Sequence, residues 1–168
     1  MSDFAATSSG ASGETNDAST LDFGHLDMSN ISILSTVEVL AITSKTKSSS
    51  SEDDYTDVFN KVHKYSKRFS SLRGAIGGAD LDLNLLSSSL DALRSTLLNR
   101  TYTDQSTGTE LTLHQFEAVQ LINLMTATST PDEAIVLIPS LSRFGEARVG
   151  EFLEIVQKCL RQMAEKSV

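Results

Sequence analysis

Leu86, Leu90, Leu93 and Leu97 recur at spacings of four, three and four, and this row constrains the chain more than any other feature. At 3.6 residues per turn the four leucines share one face, whereas on a strand they would split between both faces, so the segment reads as a helix ending near Asn99. The same spacing recurs in Val58, Phe59, Val62, Tyr65, Phe69 and Leu72, with Asp53, Asp54 and Asp57 in the opening turns and Gly74 after the end. It returns in Val149, Phe152, Leu153, Val156, Leu160 and Met163, the apolar face of a long closing helix.

Between these stripes lie terminus signals. Thr112 followed by Gln115 predicts a capped helix running to about Met125, with Leu111 and Phe116 as a hydrophobic staple, after a polar loop over 101–110. Thr130-Pro131-Asp132-Glu133 opens a further helix that Pro139 stops after little more than two turns. A loop with Gly77 and Gly78 joins the first two helices, and no strand pattern follows residue 50. The expected architecture is all-α, five helices over 53–168.

The preceding third differs in kind. Residues 1–58 carry ten carboxylates against Lys45 and Lys47, while the remainder holds twelve charges of each sign, so the whole net charge of −8 belongs to the front. Residues 1–20, nearly all Ser, Thr, Gly, Ala and Asp, read as a disordered tail. Residues 21–52 read as a docking segment and linker: Leu21, Phe23 and Gly24 form a short extended piece, and Ser35 with Glu38 opens one or two helical turns through Val39, Leu40 and Ile42. From Thr43 to Ser51 a flexible connector is expected. Residues 21–42 are apolar yet too few to close a core, and so need something to pack on.

Chemistry-bearing constellations are sparse. His25, His63 and His114 fall in different elements, Cys159 reads as a small buried hydrophobe on the closing helix, and Gly74 to Gly78 lacks the lysine of a phosphate loop. No catalytic residue, metal site or cofactor is expected, nor any small-molecule substrate. No apolar run long enough for a membrane span and no basic-then-apolar leader is found, so the expectation is a soluble intracellular chain. The acidic front disfavours non-specific nucleic-acid binding. Lys61, Lys64 and Arg68, off the apolar stripe of their helix, are candidates for weak RNA contact, without interleaved aromatics for base stacking.

Several motifs nevertheless occur together. Asp132-Glu-Ala-Ile-Val-Leu137-Ile138-Pro139-Ser140-Leu141 closely resembles the signature of the fourth-subunit family of RNA polymerase II, which is related to stalk subunits of the archaeal polymerase and of RNA polymerase III. Leu113-His114-Gln115-Phe116-Glu117 with Leu121 and Leu124 is similar to the helix leading into that signature, and Tyr65-Ser-Lys-Arg68-Phe69-Ser70 resembles the family's first-helix motif. Leu21-Asp-Phe23-Gly24, followed by Leu34 to Leu40, resembles the amino-terminal segment of the polymerase II branch. The resemblance spans about residues 20–160. The chain departs from the family in longer connections at 75–82 and 101–110 and in lacking a cysteine after Leu124.

The resemblance implies an HRDC-like helical domain and a non-catalytic subunit of a nuclear DNA-directed RNA polymerase. It would be an obligate heterodimer with the seventh subunit, near the RNA exit, supporting initiation and handling of the nascent transcript. The partner contacts it implies are Leu21, Phe23, Gly24, Leu26 and Ile33 in the segment and Leu137, Ile138 and Pro139 in the signature, where Leu137, Ile138 and Leu141 also read as core. A chain so partnered is expected to be poorly folded or aggregated when purified alone. The alternatives are the homologous subunit of RNA polymerase III or another nuclear polymerase, and a free-standing helical RNA-binding module.

Overall fold

The three apolar stripes do not all meet. A computed structural model describes residues 16–28, 30–48, 55–69, 83–104 and 107–166, and among these are six α-helices and one two-stranded hairpin. They are α1 (Thr36–Ser48), α2 (Asp57–Phe69), α3 (Leu83–Leu98), β1 (Thr101–Thr103), β2 (Glu110–Thr112), α4 (Gln115–Leu124), α5 (Pro131–Leu137), a 3-10 turn (Pro139–Phe144) and α6 (Gly145–Lys166). The chain is mainly helical, as the spacing predicts. Asp53, Asp54, Ser70, Leu72, Gly74, the 75–82 loop and residues 1–15 and 49–52 lie outside the described residues.

Leu86, Leu90, Leu93 and Leu97 of α3 pack with Leu121 and Ile122 of α4, Ile138 and Leu141 of the signature, and Val149, Phe152, Val156, Leu160 and Met163 of α6 in one continuous core. Each fully buried aliphatic or aromatic side chain contributes roughly 1.5–3 kcal/mol, so this cluster carries the fold. Among the described residues its members all come from this chain's own helices, the 3-10 turn and the residues that join them.

Four expectations are corrected. First, α1 runs through Ser48 rather than yielding to a connector at Thr43. Its Ser and Thr hydroxyls bond back into the helix, Thr43 to the carbonyls of Val39 and Leu40, Thr46 to Ile42 and Ser48 to Lys45, while Lys45 and Lys47 complement the helix C-terminus. Second, the 101–110 loop holds a strand: Thr101, Tyr102 and Thr103 pair antiparallel with Thr112, Leu111 and Glu110. Alternating β-branched residues suit the pairing, and Tyr102 fixes the inner face edge-on against Phe144 and Phe152 at 6.2 and 5.3 Å.

Third, because Thr112 is used in that pairing, the cap of α4 moves to His114. Its side chain accepts from the Phe116 N–H, and the Glu117 carboxylate accepts from the His114 N–H at 2.8 Å, so Glu117 rather than Gln115 completes the capping box. Fourth, residues 16–20 are not tail. Asp17 and Asp22 exchange backbone hydrogen bonds at 2.9 Å, and the Asp17 carboxylate accepts from the Ser19 O–H and N–H, which holds its pKa below the ordinary value.

The Ser35–Glu38 box forms as its spacing predicts: the Ser35 N–H donates to the Glu38 carboxylate at 2.6 Å, and the Glu38 N–H donates to Ser35 Oγ at 3.3 Å. Arg94 on α3 then donates to the same carboxylate at 2.6 Å, so the cap of α1 is also its mooring to the core.

Candidate partner-docking surfaces

Helix α2 is amphipathic, and it is docked with its apolar face outward. It packs against α1 through half-buried Phe59, Asn60 and His63 and buried Ser66. Thr43 of α1 hydrogen-bonds His63 Nδ1 at 2.9 Å, and Tyr55, stacked on Phe59 at 4.6 Å, donates to the Thr46 carbonyl at 2.5 Å. Polar partners on α1 thus select the polar edge of α2. Val58, Val62, Tyr65 and Phe69 are left exposed, Val58 by 69%, Tyr65 by 59% and Phe69 by 52%. Burial, with Lys47 and Lys67 nearby, pushes the His63 imidazole below its ordinary value, so the neutral ring is favoured in this contact.

Lys61, Lys64 and Arg68, the candidate RNA contacts, are all exposed. The outward turn of the apolar row places Tyr65 and Phe69 beside these cations, an aromatic neighbourhood where the sequence pattern shows none interleaved. The two rings pack on each other at 4.6 Å, and Arg68 lies over Phe69 at 5.2 Å.

The amino-terminal segment forms a second surface, as a strap along α4. Phe23 stacks on His114 at 5.4 Å and meets Phe116 edge-on at 5.2 Å. The Gln115 amide donates to the Met28 and Ile31 carbonyls at 2.6 and 2.8 Å, and the Thr36 N–H donates to Asn123 Oδ1 at 2.9 Å. Gly24 adopts φ +59, and a Cβ there would stand 2.2 Å from Asn16 Oδ1, so glycine suits the bend that delivers Phe23.

Among the partner contacts implied by the resemblance, Phe23 is therefore half-buried on its own chain, contrary to the expectation that the segment finds no cover there. Leu21 and Ile33 are half-buried as well, and Leu21 has φ 60. Gly24 is exposed, and Leu26 is 59% exposed. The strap presents Leu26, Ile31 and Leu34 outward, and its anchors and its outward row alternate along one short stretch. In the signature, Ile138 is core and carries no surface, because the α5 C-cap turns it inward. Leu137, expected in the core, is instead 49% exposed beside exposed Pro139 and Val136.

One cluster joins the two helical motifs to Arg143, a residue outside both. Glu117 is fully buried and accepts a two-pronged ion pair from Arg143, together with the Ser140 hydroxyl at 2.6 Å and the His114 N–H at 2.8 Å. Arg143 also donates to the Ser140 carbonyl at 2.6 Å and the Thr112 carbonyl at 3.2 Å, so one guanidinium ties hairpin, α4 and the 3-10 turn. The spacing between Glu117 and Arg143 hides the pair from periodicity. Glu117 at the third helical position is the only local signal.

Cys159 is half-buried rather than enclosed, in a cleft of about 360 Å³ between α3 and α6 lined also by Arg100, Lys158 and Gln162. Among the described residues no three His, Cys, Asp or Glu are grouped to hold a metal ion, and no helix is long and apolar enough to cross a membrane. No protein-family model, curated protein or solved structure matches the chain.

Proposed function

We propose that this chain is a non-catalytic subunit of the stalk of a nuclear DNA-directed RNA polymerase, polymerase II by the resemblance of its amino-terminal segment. Its helical body corresponds to the HRDC-like domain that the resemblance implies, and its partner is the seventh subunit. The observation that carries the reading is the outward apolar face of α2. Val58, Val62, Tyr65 and Phe69 form a continuous exposed row on a chain that closes its core elsewhere, the arrangement of a surface made to be covered. The outward row of the strap, Leu26, Ile31 and Leu34, supports the same reading.

In mechanism the chain acts as a brace. The Glu117–Arg143 cluster makes the signature region rigid, strap and α2 present apolar rows to the partner, and contact with the nascent transcript falls chiefly to that partner. The test is affinity purification of the chain from its own cells at moderate salt. Stoichiometric recovery of a seventh-subunit-like protein with the polymerase II core is expected. Polymerase III subunits would move the chain to the sister enzyme, and recovery of RNA without any polymerase subunit would overturn the reading.

A further inference from the structure

The exposed row on α2 has a repeat as well as an area. Val58, Val62, Tyr65 and Phe69 follow spacings of four, three and four, the seam of a two-stranded coiled coil rather than the broader face of a core-packed helix. In heptad terms Val58 and Tyr65 are d positions and Val62 and Phe69 are a positions. The g positions are then Lys61 and Arg68, seven residues apart and both exposed. The e positions are Phe59 and Ser66, which are half-buried and buried on the side toward α1. One flank of the seam is closed by this chain, and the other carries two cations in register.

From this we infer that α2 docks an amphipathic helix of a different protein, one with a 3.5-residue apolar repeat and Asp or Glu at the flanking positions opposite Lys61 and Arg68. The inference rests on reading α2 as a partner surface and adds the partner's chemistry. A second copy is disfavoured by the same geometry. In an antiparallel pair g faces g, which sets Lys61 and Arg68 against their own equivalents, and in a parallel pair g faces e, where Phe59 and Ser66 offer no anion. Single-stranded RNA fits less well. Val58 and Val62 give a base nothing to stack on, the Tyr65 and Phe69 rings cover each other, and Arg68 occupies a face of Phe69.

The test titrates the full chain into two labelled synthetic helices with Ile at a and Leu at d, one with Glu and one with Lys at every e and g position, followed by fluorescence anisotropy. The Glu helix is expected to bind at least about tenfold more tightly than the Lys helix. Lys61→Glu with Arg68→Glu should invert that preference, and Val62→Asp with Tyr65→Asp should abolish both, with unchanged far-ultraviolet circular dichroism because all four side chains are exposed. Equal binding of the two helices, or none up to about 100 µM, overturns the inference. So does self-association in sedimentation equilibrium that the Val62/Tyr65 pair removes, which would make the occupant a second copy. Binding of an oligouridylate probe that depends on Lys61 and Arg68 but not on Val62 and Tyr65 overturns it too, by making the surface a nucleic-acid site. Polymerase co-purification is scored separately, so a failed helix titration with polymerase subunits still recovered removes the seam and not the stalk.

Discussion

Replacing Arg143 by Ala removes both guanidinium bonds to Glu117 and leaves a fully buried carboxylate with only the Ser140 hydroxyl and the His114 N–H. Uncovering one member of a buried ion pair costs about 3–5 kcal/mol. The Arg143 end is 29% exposed, so water can re-enter there and the lower end of that range applies. A loss of about 3 kcal/mol is a large share of the ~5–15 kcal/mol that holds a domain folded, and at this chain length it lowers the melting temperature by about 6–12 °C. Urea unfolding followed by far-ultraviolet circular dichroism measures it. The companion variant, Glu117→Leu with Arg143→Met, removes the charge along with its partner and should lie closer to the wild type than Arg143→Ala does, despite the lost cap on α4. A loss under about 1 kcal/mol for Arg143→Ala, or a double variant as damaged as the single, would refute the assignment of this cluster as the tie between hairpin, α4 and signature.

Three further outcomes follow from the same geometry. His63 holds its proton less tightly in the fold than its ordinary 6.5, so the unfolded state binds more protons on the acid side; the α1–α2 contact is complete above that value and weakens as pH falls below it. Hydrogen exchange of α1 and α2 amides, compared with core amides from about one pH unit above that value to about one below, checks this, and equal protection across that range would contradict it. Phe23→Ala should release the strap, read as faster proteolysis within 16–34 at an unchanged melting temperature, because its contacts are to His114 and Phe116 at the surface of α4. Leu97→Ala should cost about 2–5 kcal/mol, whereas Val62→Ala should cost within about 0.5 kcal/mol, since Leu97 is fully buried and Val62 is exposed.

The core was legible because burial there follows period. The α3 leucines and the α6 row both lie where 3.6-residue spacing puts them, and the Thr130 and Ser35 caps stand at their predicted positions. Period says which residues share a face but not what that face meets. Period therefore marks the α2 row as a stripe and no more, because polar bonds from Thr43 and Tyr55 decide which edge of α2 turns inward. The same limit applies to Leu137, whose place at the end of a short helix exposes it while Ile138 turns in. The hairpin was hidden by its length, three residues per strand, and the Glu117–Arg143 pair by its separation along the chain. Of the implied contacts in the strap, Phe23 anchors the segment instead of offering it, a distinction that depends on the ring of His114 lying beneath it.

The inverted docking of α2 also shapes how the chain tolerates mutation. In an ordinary surface helix the apolar positions are the ones that selection for folding protects. Here folding leaves Val58, Val62, Tyr65 and Phe69 unguarded and instead guards the polar edge, Asn60, His63 and Ser66. A saturation screen read only for folded protein should find the apolar row permissive and the polar edge strict, while one read for growth should find both strict. The difference between the two maps would outline the footprint of whatever α2 meets, without that partner having been identified beforehand.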